Sequence, residues 1–403
     1  MCLTTNDSGL MTFLTPTLTV NLAAIVANWK LLAARFTGQE TAAVVKADAY
    51  GLGMIPVSEA LANASCHTFF VATLEEAITL REALPDIRIL VFHGVQQGEE
   101  FAFASHRLIP VLNSREQLAR WKPIAKDHVH AVSALHIDTG MGRLGLQPED
   151  FETLDKQWLS DCRVSLIMSH LACSPDPNHP LNAQQLEILK HIASSATGIP
   201  VSFANSGGIF LPKEFHFDLA RPGCSLYGIA PQSSPSPLAK EGRDEGEAKL
   251  GIHSNLPLTQ PSPARGEGFN PMHQVATWQA PIIQIRTTAN EQSVGYGATK
   301  IVPKNTRIIT VASGYADGYH RILSNHSCAY IGEHRLPLLG RVTMDMLCFD
   351  GTEAPGSIFH EGTMVTLLGN HPELTVDAIA TRAQTIGYEI LTSIGPRVKR
   401  VYI

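Results

Sequence analysis

The 403-residue sequence contains no apolar run of about 20 residues, the length a helix needs to cross a bilayer. Residues 1–16 lack the basic start and apolar core of a secretory signal, so a cytoplasmic protein is the expectation. There is no excess of positive charge. Lys and Arg number 31 against 37 Asp and Glu, a formal net charge of −6. A nucleic-acid scaffold, which carries a basic stripe, is disfavoured. An anionic small substrate requires that cations be gathered locally. The seven cysteines are scattered and none forms a C-x-x-C pair, which speaks against a zinc ribbon or a thioredoxin-like centre. No G-x-x-x-x-G-K-[ST], H-E-x-x-H or G-x-S-x-G occurs, and no metal site is read. What is present is an ordinary globular composition, 44% hydrophobic and 17% charged, with length for roughly two to three domains.

Through residue 220 short apolar runs alternate with helical stretches. Candidate strands lie at 41–46, 68–72, 87–92, 109–112, 134–137, 165–169, 201–204 and 217–220. Helical patterns fall between them at 54–64, 74–84, 114–122, 148–159 and 182–195. Eight such units predict an α/β chain whose N-terminal region, 1–273, is a (β/α)8 TIM-like barrel. From residue 274 to 403 the runs are short and β-rich, at 280–285, 306–312, 328–331, 336–340 and 364–368. Only 376–386 reads as helix there, so a mostly β C-terminal domain is expected. Residues 233–268 fit neither half. They are rich in Ser, Pro, Gly, Lys and Glu and read as a flexible surface insertion.

Polar clusters fall where strands end, which is where a barrel carries its chemistry. The run VVKADAYGLG, 44–53, delivers Lys46 at the end of an apolar strand. A lysine there is often merely a solvated strand end. With one apolar flank, its pKa falls and it can condense with a carbonyl. The single G-x-G-x-x-G, Gly140 to Gly145, is a weak dinucleotide signal and reads better as a backbone turn. Arg143 within it suits a carboxylate or phosphate. Asn205-Ser206-Gly207-Gly208 and Arg221-Pro222-Gly223-Cys224 follow later strands, where a phosphate cradle and a plain glycine turn are both readings. His170 ends another strand, and a structural hydrogen-bonded histidine is its plainer reading.

Taken together these motifs resemble the alanine racemases, a barrel class of pyridoxal-phosphate enzymes. Eight segments match in order: AVVKADAYGLG, IDTGMGRLG, SHLACS, ANSGG, ARPGCSLYG, VGYGAT, RVTMDM and YEILTSIGPRVKRVY. The resemblance spans the chain except about the first dozen residues and the insertion. It implies that Lys46 holds pyridoxal 5'-phosphate covalently and also acts as one catalytic base. It implies that Tyr50, Ser206, Gly223 and Cys224 hold the phosphate, with Asn205 beside them. Arg221 would face the pyridine nitrogen, supported by His170. Arg143 and the backbone N–H of Met344 would bind the substrate carboxylate, and Tyr296 would be the second base. The family's head-to-tail homodimer with shared sites is implied as well, with alanine as substrate.

Two positions depart from the family pattern. His136 stands where many members carry a carbamylated lysine that braces the arginine, so Arg143 needs another brace, a bound anion or a nearby carboxylate. Pro396 stands where a tyrosine is expected before Arg397-Val398, which implies a changed phosphate affinity or entrance. A racemase of serine, lysine or several amino acids is the alternative activity, which competition between alanine and larger amino acids separates. A non-catalytic pyridoxal-phosphate carrier is the alternative of another kind. Known carriers resemble a barrel alone, whereas this chain has the β domain and Tyr296.

Overall fold

The computed structural model describes residues 15–232 and 270–403 in full, together with the backbone of 3–5 and 11–13. The insertion read at 233–268 lies outside the described residues. Its flanks are drawn together, because Asp377 Oδ2 accepts both the Ala230 N–H (3.1 Å) and the Asn270 side-chain amide (3.0 Å).

Nine parallel segments follow one another around a sheet. Two of them, Glu40–Thr41 and Ala43–Val44, are pieces of one strand split at Ala42. One piece pairs with Leu219–Arg221 and the other with Thr68–Val71. Ala42 itself donates to Ala220 O at 2.9 Å. The sheet therefore closes on itself as an eight-fold barrel, as the alternation of runs predicts.

Strand periodicity sorts the side chains. Ala42, Val44, Phe70, Leu90, Val111, Ala134, Leu166, Met168 and Leu219 fill the barrel interior. Their alternates Val45, Phe69, Val71, Ile89, Val91, Leu135 and Ile167 pack outward in the main core with the helices. Continuing the inward parity two residues past this apolar layer reaches Lys46, Phe92, Asn113, His136, His170 and Arg221. The strand period thus sets six side chains, five of them polar or ionisable, at one mouth of the barrel.

The stretch read as one helix over 148–159 is two, Pro148–Glu152 and Gln157–Asp161. Asp155 Oδ1 accepts the Gln157 N–H at 3.0 Å and starts the second, so a local side-chain bond interrupts the helical period. The helix expected at 376–386 likewise ends at Arg382, and Gly387–Thr392 forms another.

The second sheet is antiparallel around the long strand Ala276–Thr287. Met364–Leu368, Arg307–Val311 and Thr17–Val20 all pair with it. Lys399–Tyr402 runs parallel to Thr17–Val20 at the edge. The chain therefore enters through this sheet before building the barrel, although residues 17–20 belong by sequence to the region assigned to the barrel. A four-residue alternating run does not reveal which sheet it joins. A separate hairpin, Gln292–Val294 with Lys300–Val302, carries Tyr296 at its tip. Among the described residues no helix is long and apolar enough to cross a membrane.

Candidate active site

Lys46 opens a turn of unusual hand. Ala47, Asp48, Ala49 and Tyr50 all have φ between 51° and 57°, a left-handed helical turn. Each L-residue held there costs roughly 1–2 kcal/mol. The surroundings enforce it. Glu76 caps the helix Leu74–Ala83 with Thr73, and its Oε1 also accepts the Ala47 N–H at 2.6 Å. Asp48 Oδ1 accepts the Met54 N–H at 2.7 Å. Arg400 donates twice to Gly51 O, at 3.2 and 3.1 Å. Gly51 and Gly53, at φ 82° and 101°, release the chain, and a Cβ on Gly53 would fall 2.0 Å from the Tyr402 hydroxyl. The turn aims Lys46 inward and buries Tyr50 behind it. Burial, and then the Arg143 guanidinium, hold the Lys46 ammonium below its ordinary pKa, with Glu76 partly opposing.

Arg221 is 3% exposed and no carboxylate pairs with it among the described residues. Its guanidinium donates to Ser202 Oγ and Ser169 O, and lies 3.5 Å from His170 Nδ1. Burial lowers its pKa to about 9, so it is a cation at neutral pH. Burial, then Arg221 and Arg143, push the His170 imidazole well below its ordinary pKa, so His170 is neutral.

A cradle of small residues lies beside this group. Ser206 Oγ accepts the N–H groups of Gly223 (3.0 Å) and Ser225 (3.3 Å). The N–H of Cys224 donates to nothing among the described residues. A Cβ on Gly223 would sit 2.5 Å from the Tyr50 hydroxyl, so only glycine admits that phenol. Converging hydroxyls and backbone N–H groups suit a phosphate. Gly223→Ala is expected to displace Tyr50 and weaken cofactor retention by about tenfold or more, the worth of one hydrogen bond to a charged group. Equilibrium dialysis of the cofactor, with the far-UV dichroism unchanged, checks it.

Some expectations change here, and the reading of the glycine motif as a backbone turn holds. Asn205 braces the loop. Its Oδ1 accepts from Gly208 N and Ser174 Oγ, and its amide donates to Leu171 O. The N–H groups of Gly140, Met141 and Gly142 all point to Asp138 Oδ1, at 3.0, 2.8 and 3.1 Å. The glycine motif is thus a turn closed on its own carboxylate, with those donors unavailable to a dinucleotide. Pro396 is exposed. The additional phenol beside the cradle is Tyr388, whose ring lies 5.8 Å from that of Tyr50. Position 396 therefore takes nothing from the cradle. Tyr388 was missed because eight residues of helix end and turn separate it from the Arg-Val pair. Arg143 is exposed, and no carboxylate braces it among the described residues.

Tyr296 and Met344 lie on the second domain, 73% and 52% exposed. The Arg341 guanidinium packs against the space beside Gly297, at the tip that carries Tyr296. The Met344 turn is built firmly. Tyr315 N donates to Thr343 O and Ala316 N to Met344 O, both at 3.0 Å. Arg397 bridges the buried Asp317 (3.0 Å) and Asp345 (2.8 Å). The N–H groups of Met344 and Asp345 donate to nothing among the described residues. Sequence reasoning missed Asp317, which lies in no matched segment and 80 residues from Arg397, and it gave Arg397 no role of this kind.

The family model described as "Alanine racemase, N-terminal domain" matches residues 20–231, and that described as "Alanine racemase, C-terminal domain" matches 275–402. The chain belongs to the alanine racemase family. Among its curated relatives, the alanine racemase of Rhodospirillum rubrum is 42% identical, over 96% of this chain and 96% of that one. A catabolic alanine racemase of Agrobacterium fabrum is 40% identical, over 96% and 92%. Among solved structures, the alanine racemase of Bartonella henselae with covalently bound pyridoxal phosphate superposes with a TM-score of 0.83. It is 34% identical, covering 96% of this chain and 99% of that one. A biosynthetic alanine racemase of Pseudomonas aeruginosa gives 0.79 at 32% identity, covering 97% and 100%. The two family matches leave out residues 232–274, the stretch that contains the insertion.

Proposed function

We propose that this chain interconverts L-alanine and D-alanine with pyridoxal 5'-phosphate, using two bases on opposite faces of the substrate. The observation that carries this is the barrel mouth itself. A lysine of lowered pKa and a buried, carboxylate-free arginine stand at the inward ends of neighbouring strands, beside a cradle that only glycine permits. These residues fit the cofactor. Lys46 would hold its carbonyl carbon. Tyr50, Ser206, Gly223, Cys224 and Tyr388 would hold its phosphate, and Arg221, supported by His170, its ring nitrogen. When bound, the cofactor supplies an electron sink that acidifies the substrate's α C–H.

The rest is done by this chain's side chains. Lys46 Nζ, whose pKa is lowered by burial and by Arg143, takes or returns the α-proton on the D face. Tyr296 Oη does so on the L face. Arg143 and the free Met344 N–H bind the substrate carboxylate, whose geometry must persist while the proton changes face. Arg221 keeps its proton at neutral pH, so it would donate a hydrogen bond to the ring nitrogen without protonating it, and its charge would disfavour a second cation there. An uncharged nitrogen would limit the sink and suppress transamination.

Tyr296 and Met344 stand exposed on the second domain with other apolar side chains, Tyr315, Ile322 and Met346. This supports a head-to-tail homodimer in which each barrel mouth meets the partner's second domain. Alanine is the substrate we assign, and relatives named both catabolic and biosynthetic fit a reaction that runs either way. A cytoplasmic location is supported by the absence of a disulfide among the described cysteines.

The test is proton exchange in heavy water, followed by NMR on each enantiomer of alanine. Exchange at Cα with appearance of the opposite enantiomer is expected. Exchange of serine or lysine in preference to alanine would favour the other racemase, and bound cofactor without any exchange would favour a carrier.

A further inference from the structure

Residues 343–346 form a turn that closes on itself. Thr343 Oγ1 donates to Met346 O at 2.8 Å and accepts the Met346 N–H at 3.1 Å. The two residues between them, Met344 and Asp345, keep their backbone N–H groups free among the described residues. The direction of those N–H groups is therefore set from outside the turn. One support is the loop 314–317, whose Tyr315 and Ala316 N–H groups donate to Thr343 O and Met344 O. The two loops touch closely: a Cβ on Gly314 would fall 2.3 Å from Thr343 O and 2.4 Å from Met344 O.

The other support is Arg397. Its Nη1 donates to Asp345 Oδ1 at 2.8 Å, and its Nε lies 3.0 Å from Asp317 Oδ1. The two carboxylates differ. The Asp345 side chain is half-exposed, whereas that of Asp317 is 1% exposed. Asp317 Oδ2 accepts the Gly314 N–H at 2.8 Å, but no donor is aligned on its buried Oδ1 among the described residues. A buried carboxylate oxygen needs its charge answered, and Arg397 answers it. Arg397 also stands on a fixed base. The Gly395 N–H donates to Asp317 O at 3.0 Å, and the Arg400 guanidinium donates to the carbonyls of Ile394, Gly395 and Val398. Pro396, immediately before Arg397, has one backbone torsion locked by its ring. The guanidinium thus reaches from a buried anion, on a stiff segment, to the side chain next to Met344. A planar fork can hold two carboxylates in one fixed arrangement, which a lysine cannot.

We propose that Arg397 is a positioning residue for the substrate carboxylate: by bridging Asp317 and Asp345 it aims the free Met344 N–H. The proposal rests on the reading of that N–H as a carboxylate donor. It explains why a carboxylate is tolerated beside a group that binds a carboxylate. Asp345 is a handle on the turn, and Arg397 offsets its charge.

Asp345→Ala is the deciding variant, because charge and position predict opposite results. It leaves Arg397 paired with the buried Asp317, so the fold is not at stake. Removing a negative charge beside a carboxylate site should by itself tighten anion binding. Losing the handle should weaken it. The measurement is a titration of the holoenzyme, ¹⁵N-labelled at methionine, with acetate, read by NMR at the Met344 amide. That resonance is assigned by its loss in Met344→Leu. Acetate should move it in the wild-type protein. The Kd for acetate should rise about fivefold in Asp345→Ala, the upper end for an exposed ion pair. The KM for alanine should rise in step, with little change in kcat. In an Arg397→Ala background, Asp345→Ala should cause no further loss, because the two side chains act as one unit. Tighter or unchanged acetate binding in Asp345→Ala, or an equal loss in both backgrounds, overturns the proposal and leaves the reading of the Met344 N–H standing. A Met344 amide that acetate does not move in the wild-type protein removes that reading, and the proposal with it.

Discussion

Replacing Lys46 by alanine is expected to abolish racemisation and with it the absorbance of covalently held cofactor. The loss should reach about 10⁴-fold or more, the upper end for a positioned base, because the same nitrogen is also the attachment point. The fold should survive. Lys46 makes no hydrogen bond that holds the left-handed turn, whose restraints are Glu76, Asp48 and Arg400. Removing a desolvated amine from a cluster of cations should, if anything, relieve repulsion with Arg143. The check is a spectrum of the reconstituted variant, beside its turnover and far-UV dichroism. A folded Lys46→Ala protein with the wild-type spectrum would sink the assignment.

Tyr296→Phe is expected to lower proton removal from L-alanine by about 10²- to 10⁴-fold, the range for one positioned general base. Cofactor binding should be untouched, since Tyr296 stands at a hairpin tip on the second domain and the cradle lies on the barrel. Isotope washout from each enantiomer separates the two faces: the L-alanine signal should fall while exchange from D-alanine by Lys46 persists. Equal washout from L-alanine in variant and wild type would remove Tyr296 from the mechanism. The same variant tests the shared site. Mixing dissociated Lys46→Ala and Tyr296→Phe protomers should restore turnover that neither shows alone, because one site of each mixed dimer then has both bases. No restoration would place both bases on one chain.

The parts of this architecture legible in the sequence are those that repeat. Barrel strands buried on both faces read as unbroken apolar runs, so Phe69 and Phe70 announce a strand as surely as they face opposite layers. The residues at strand ends, Lys46, His170 and Arg221, follow from the same parity. What escaped notice depends on contacts distant in sequence or on backbone hand. Nothing in Ala-Asp-Ala-Tyr signals a left-handed turn, because its enforcement comes from Glu76 and from Arg400, more than 300 residues away. Asn205 sits in a motif that suits a phosphate, yet its amide is spent on its own loop. Tyr388 reaches the cradle from a short helix whose pattern blends into the one before it. Thr17–Val20 joins the second sheet through pairing that only the folded chain displays.

The most direct test of the central claim is optical rotation of L-alanine over time with the purified protein and pyridoxal phosphate. The account predicts decay to zero rotation with no loss of total alanine, and the same endpoint from D-alanine. A flat trace, with the cofactor shown by its absorbance to be bound, would contradict it.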